Sequence, residues 1–225
     1  MAPPTYHLPR KVAAEFVGTA FLVATVIGSG IMASRLSDDV GLQLLENSVA
    51  TGAALVALIL ALQPVSAAFN PVVTLIEVAL GQLKVVSALV LIVAQLAGGI
   101  LGAMVANLMF DLPAVHFSGH ERSGSGLWLG EVVATFGLVV VIFGSIRTGR
   151  SETIAFAVGG YIAAAYWFTS STSFANPAVT VARMFSDTFA GIAPSSVLYF
   201  VLMQALGGLL GLLFVRLTFP TRALP

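Results

Sequence analysis

The sequence predicts an all-α membrane protein with six transmembrane helices and two reentrant half-helices, arranged as an inverted internal repeat. Three observations carry that prediction. The chain is 58% hydrophobic and only 9% charged, with a mean hydropathy of +0.99, a composition that cannot clothe a water-facing surface. Six apolar segments are long enough to cross a hydrocarbon core of about 30 Å, which takes about 20 residues. Finally, Asn70-Pro71-Val72-Val73-Thr74 returns 106 residues later as Asn176-Pro177-Ala178-Val179-Thr180.

Composition also excludes several classes of function. Ten basic and ten acidic residues give a net charge of zero, so there is no basic face for nucleic acid. With no cysteine, disulfides, thiolate nucleophiles and sulfur metal sites are absent. His116, His120 and Glu121 lack a second histidine at metalloprotease spacing, so no metal site is expected there, and no cofactor is expected anywhere. Intramembrane proteolysis has no support either, because the spans hold no G-x-S-G motif and no paired aspartates.

In chain order the spans fall at about 12–34, 46–62, 84–109, 127–147, 153–169 and 195–218. The first follows a short polar start, has no evident cleavage site and is read as a retained span. Two further apolar pieces, 70–81 and 176–186, are too short to cross at about 1.5 Å per residue. Both begin with Asn-Pro, and a proline opens a helix but does not sit inside one, so both are expected to be half-helices. The stretches 35–45 and 110–126, rich in Gly, Asp, Ser and His, are expected to be solvated loops.

The two halves correspond. Glu15 with Thr19 matches Glu131 with Thr135 in an E-x-x-x-T frame, and Gln95-Leu96-Ala97-Gly98-Gly99 matches Gln204-Ala205-Leu206-Gly207-Gly208. The offsets of 116 and 109 bracket the 106 of the Asn-Pro pair, as a repeat with variable loops requires. Three spans and one half-span per unit make the second unit inverted relative to the first. Residues 1–225 then form a single transmembrane domain of two units, about 10–110 and 127–219. Arg10, Lys11, Lys84, Arg147, Arg150, Arg216 and Arg222 fall on one side, and Arg35, Arg122 and Arg183 on the other. The basic side is cytoplasmic, which places both termini inside the cell.

A half-helix that ends within the bilayer leaves its first amides unpaired, which is tolerable only where the backbone is buried in protein or lines water. If inversion brings the two Asn-Pro starts together, two positive helix ends meet near the midplane and repel cations. Asn70 and Asn176 would cap them through their side-chain oxygens and leave amide hydrogens for a passing solute. Carbonyls of 66–69 and 173–175 would supply acceptors along the same path.

The paired Asn-Pro motifs, the two E-x-x-x-T frames and the two Gln-x-x-Gly-Gly frames make the chain resemble the aquaporin, or major intrinsic protein, family over about residues 10–219. That resemblance implies one pore per subunit, a midplane formed by Asn70, Pro71, Val72, Asn176, Pro177 and Ala178, and a homotetramer in the membrane. It also implies that Glu15 and Glu131 brace the reentrant loops by hydrogen bonds. The glycine faces Gly98-Gly99-x-x-Gly102 and Gly207-Gly208-x-x-Gly211 permit close helix packing.

The departures from the family pattern lie in the outer selectivity filter. Its usual arginine is replaced by Val179, and the other filter positions correspond to Ala164, Ser173 and Thr51, or Ala50 if the first loop carries no deletion. A filter of small side chains admits solutes larger than water, because bore and lining donors set selectivity. Arg183, one helical turn beyond Val179, is expected in the outer vestibule, and its repeat mate is Glu77. Tyr166 and Trp167 are expected to anchor the interface unless they turn toward the mouth. The run Asn176 to Arg183, followed by Ser186-Asp187-Thr188, is similar to bacterial aquaglyceroporins associated with arsenic-resistance operons. This implies a bacterial inner-membrane channel for water, glycerol-like polyols, arsenite as neutral arsenous acid, and methylated arsenicals. The competing reading is an ion-coupled secondary transporter, since inverted repeats with broken helices build those too.

Overall fold

The computed structural model describes residues 7–219. Arg222, part of the basic side expected from the sequence, lies outside them. Among the described residues there are eight α-helices and no strand: α1 (Leu8–Leu36), α2 (Val40–Leu62), α3 (Pro71–Ala79), α4 (Val85–Met109), α5 (Ser125–Arg147), α6 (Ile154–Phe168), α7 (Pro177–Arg183) and α8 (Pro194–Thr218). Four of them, α1, α3, α7 and α8, carry proline at their first or second position, where its missing N–H costs nothing.

Five helices, α1, α2, α4, α5 and α8, are long and apolar enough to cross a membrane. The remaining long element, α6, has 15 residues and is preceded by a 3-10 turn at Ser151–Thr153. It packs beside α2 and α5 in the same bundle. The short pieces α3 and α7, of nine and seven residues, are the two half-helices.

Several boundaries differ from the sequence reading: α1 begins at Leu8 and not near 12, α3 ends at Ala79 and not at 81, and two further differences have a visible cause. The stretch 35–45 is mostly helix, because Asp39 caps α2 by accepting from Leu42 N at 2.9 Å. Within it Arg35, Asp38 and Asp39 are exposed, but Gln43 faces inward, its Nε2 donating to Ser37 O at 2.7 Å, and one turn on Asn47 Nδ2 donates to Val26 O and Ser29 Oγ, each at 2.8 Å. Half-helix α7 stops at Arg183 and does not reach 186. There Ser186 Oγ turns to Asn107 Oδ1 at 2.6 Å, and Phe185 O accepts from His116 N.

Packing follows the repeat. Helix α1 lies along α4 as α5 lies along α8. A Cβ at Gly98 or Gly102 would collide with the carbonyl oxygens of Phe16 and Ala20, and one at Gly207 with that of Val132. These helices touch backbone to backbone, the close approach that small residues permit within a membrane. The half-helices are wedged into the bundle, α3 against α4 and α8, and α7 against α4, α8 and α1. At one face Arg216 Nη2 donates to Ala79 O and Gln63 Nε2 to Ser151 O. The opposite face gathers Arg35 on Phe110 O and Arg122 on Gly191 O.

Candidate functional site

The half-helices begin against one another. Asn70 Oδ1 accepts from Val72 N at 3.0 Å, and Asn176 Oδ1 accepts from Ala178 N at 2.9 Å and Val179 N at 3.3 Å. The amides reach across: Asn70 Nδ2 donates to Ala175 O at 2.8 Å and Asn176 Nδ2 to Phe69 O at 2.7 Å. Each amide carries two hydrogens, so one is used in the cross-bond and one remains. The carbonyls of Phe69 and Ala175, expected as solute acceptors, each accept one of these cross-bonds.

Residues just before each asparagine adopt left-handed backbone, with φ of 48° at both Phe69 and Ala175 and 53° at Ser173. That conformation costs roughly 1–2 kcal/mol in a residue with a Cβ, so something must hold it. Buried Glu15 accepts from Ala68 N at 2.8 Å, Phe69 N at 2.7 Å and Ser66 Oγ at 2.6 Å. Glu131 does the same for Phe174 N and Ala175 N, both at 2.9 Å. Behind each carboxyl sits a glutamine. Gln95 Nε2 donates to Glu15 Oε2 and Thr74 Oγ1, and Gln204 Nε2 to Glu131 Oε2 and Thr180 Oγ1. The glutamate of each E-x-x-x-T frame, the Asn-Pro-x-x-Thr run and the glutamine of each Gln-x-x-Gly-Gly frame are therefore one network built twice, while the Thr19 and Thr135 hydroxyls stand outside it.

A cavity of about 300 Å³ runs past this junction, from Lys11, Glu77 and Gln82 at one end to Thr51, Tyr166 and Arg183 at the other. At about 30 Å³ per water it has room for a file of waters or a polyol. Residues four apart line it, among them Thr51, Leu55 and Ile59 on α2, continued by Gln63 just past its end; Leu138, Ile142 and Ile146 on α5; and Ile154, Val158, Ile162 and Tyr166 on α6. The walls are thus mostly apolar, with polar groups concentrated at the asparagine junction and the two ends.

Asn70, Asn176, Thr51, Ser173, Val179 and Arg183 all border this cavity. Thr51 does so and Ala50 does not. Pro71, Val72, Pro177 and Ala178 are at the junction but behind its wall, where Val72 packs on Gly208 and the Ala178 carbonyl sits over Gly99. They shape the half-helix starts without touching the lumen.

One expected filter residue is misplaced. Ala164 is exposed on the outer side of α6 and absent from the lining. The helix presents its 154, 158, 162 and 166 positions inward, which turns 164 about half a revolution away. The wall there is instead Tyr166, 3% exposed, with its hydroxyl 3.1 Å from Thr51 Oγ1. The four-residue stripe ending at Tyr166 was the sequence signal for this. Trp167 does face outward, with Nε1 on Ser48 Oγ at 3.1 Å. Nor does the mouth lack a cation. Arg183 is 2% exposed, its guanidinium carbon lies 3.4 Å from the Phe174 ring centroid, and its Nε donates to Ala190 O.

A membrane-embedded helical bundle whose two broken helices meet beside a continuous lined cavity is the architecture of a channel-forming protein. A family profile described as Major intrinsic protein matches residues 4–153. The chain is 48% identical over 212 residues to aquaglyceroporin AqpS of Rhizobium meliloti (strain 1021), covering 94% of this chain and 91% of that protein. It is 30% identical over 217 residues to the probable aquaporin TIP2-2 of Oryza sativa subsp. japonica, covering 89% and 84%. The X-ray structure of the aquaglyceroporin from Plasmodium falciparum shares the fold, with a TM-score of 0.73 at 20% identity over 93% of this chain and 95% of that one. This chain belongs to the major intrinsic protein family, and it is a multi-pass integral membrane channel, not an enzyme.

Proposed function

We propose that the cavity is a passive path for water and small uncharged solutes with a wide outer filter, admitting glycerol-like polyols and metalloid acids such as arsenous acid and its methylated relatives. One observation carries this reading: Val179, three residues after the Asn176 cap, lines the cavity at the position where the family resemblance implies arginine. A branched apolar side chain there leaves bore that a guanidinium would fill. Asn70 and Asn176 each hold one free amide hydrogen for a solute oxygen, and the Thr51 and Tyr166 hydroxyls offer a second polar station. Between them apolar walls let the solute move on. The 48% identical relative is an aquaglyceroporin by name, which supports a bore for more than water.

The same reading makes residues 1–225 one domain of two inverted units, with Glu15 and Glu131 bracing the reentrant loops. It puts both termini in the cytoplasm of a bacterial cell, Arg183 in the outer vestibule and four copies in the inner membrane. Ion coupling, as in a secondary transporter, calls for a deep acid free to titrate. Glu15 and Glu131 are both engaged by loop amides, which favours the channel. Stopped-flow swelling of proteoliposomes in water, glycerol, urea and arsenous acid tests the proposal. Glycerol and arsenous acid should equilibrate without any ion gradient, and Val179→Arg should slow both while sparing water. Gradient-dependent uptake, or unchanged large-solute rates in Val179→Arg, would overturn it.

A further inference from the structure

The outer mouth holds a charge that nothing in the described protein balances. Arg183 and Arg122 lie over the same Phe174 ring, their guanidinium carbons 3.4 Å and 5.2 Å from its centroid. Consecutive carbonyls of one loop hold them in place: Phe189 O and Gly191 O accept from Arg122, and Ala190 O accepts from Arg183 Nε. Among the described residues, no carboxylate lies within 4.0 Å of either guanidinium. The carboxyl that influences both most, Glu131, is committed to Phe174 N, Ala175 N and Gln204. A cation removed from water without a partner is costly, and a counter-ion relieves that cost.

Two further groups mark where the counter-ion would sit. The Arg183 Nε is used on Ala190, whereas its terminal nitrogens have no acceptor among the described residues, and the side chain borders the cavity. Ser173, 3% exposed, lines the same cavity and its Oγ has no hydrogen-bond partner. The Arg183 guanidinium stacks on the ring of Phe174, the residue next to Ser173 in the chain, so its fork and the unpartnered hydroxyl border the cavity from one loop region and make a donor set for an oxyanion, with the apolar Val179 leaving space.

We propose that Arg183 and Ser173 form an oxyanion subsite at the outer end of the pore, where a small mono-anionic oxyacid docks and competes with neutral solutes, with Arg122 adding positive potential from behind Phe174. The subsite rests on the reading of this cavity as the permeation path. It gives Arg183 a role distinct from the missing filter arginine: the cation is withdrawn one turn outward, so it receives anions at the entrance without narrowing the bore at Val179.

The test is glycerol-driven swelling of proteoliposomes with inorganic phosphate added outside at mildly acidic pH, against chloride at equal ionic strength, each variant normalised to its own phosphate-free rate. Phosphate should slow the wild-type protein and chloride should not. Arg183→Gln should raise the half-inhibiting concentration by at least about tenfold, the worth of a charge-assisted bond. Ser173→Ala should raise it by roughly threefold to tenfold, and it removes only a hydroxyl that has no partner in the fold. No phosphate effect on the wild type, or equal inhibition of all three proteins, would overturn the subsite. A wild type that passes no glycerol would instead sink the permeation reading. In that case phosphate titration calorimetry of the detergent-solubilised protein, wild type against Ser173→Ala, decides the subsite on its own: weaker binding by the variant upholds it, and equal or absent binding removes it.

Discussion

Asn70 and Asn176 hold each other's loops: each donates its side-chain amide to the carbonyl that precedes the other, at 2.8 Å and 2.7 Å. Each also caps its own half-helix. Neither half-helix start is therefore a local structure. The carbonyl each amide meets belongs to a residue held in left-handed backbone by a carboxyl on a third helix.

This reciprocity is measurable. Asn70→Ala and Asn176→Ala should each destabilise by about 2–3 kcal/mol, the sum of a lost cap and an orphaned buried carbonyl, and both should abolish solute swelling. The double variant should cost less than the two singles together by more than about 0.5 kcal/mol, the margin within which independent sites add. Thermal unfolding in detergent measures the cycle; strict additivity would mean that the two cross-bonds act independently and that neither loop supports the other.

Glu15→Gln tests the brace. The carboxylate accepts from Ser66, Ala68, Phe69 and Gln95, and an amide has one acceptor oxygen only. Its NH2 would face a backbone N–H, leaving at least one buried donor unpaired at about 1–3 kcal/mol. The expected result is a lower melting temperature and a loop between 66 and 69 that exchanges amide hydrogens faster. Since Glu131 makes the equivalent contacts, Glu131→Gln should shift the loop 173–175 and leave 66–69 slow.

Two glycine substitutions should diverge. Gly98→Ala drives a methyl into the Phe16 carbonyl, so α1 and α4 must separate, and a loss of about 1–3 kcal/mol follows from overpacking. At Gly160, exposed on α6, a Cβ meets nothing within 4 Å, and alanine gains up to about 1 kcal/mol in helix propensity. Melting temperatures that fall for Gly98→Ala and hold or rise for Gly160→Ala are expected; a fall at both would contradict the backbone contact as the cause.

Pore position can be read by adding bulk. Thr51→Phe should reduce glycerol swelling at least about tenfold, since diameter sets passage, whereas Ala164→Phe, facing outward on α6, should leave the rate within about twofold. Reversal of that order would return position 164 to the filter.

Most of the architecture could be read from the chain because it depends on local chemistry. Length and hydropathy mark membrane spans, proline marks where a helix can begin, and a repeated Asn-Pro within apolar sequence demands a partner for its unpaired amides. The start of α2 escaped such reading because Asp39 and Gln43 look solvated in sequence, whereas Asp39 caps the helix and Gln43 is bonded inward in three dimensions.

The identity of the filter residues was a different matter. Counting back from Asn176 led to Ala164, but the side chain that meets Thr51 is Tyr166. Spacing along a chain carries the phase of a helix only up to the loop that joins it to the motif, and the loop 169–175 between α6 and Asn176 resets that phase. Likewise Arg183 could be placed one turn beyond Val179 from sequence, while its seat on Phe174 and the Ala190 carbonyl came from packing between α7 and two loops. The chain by itself determined that there would be two half-helices with asparagine starts; the tertiary fold decided which side chains face the path between them, because facing depends on how separately phased helices are rotated against one another.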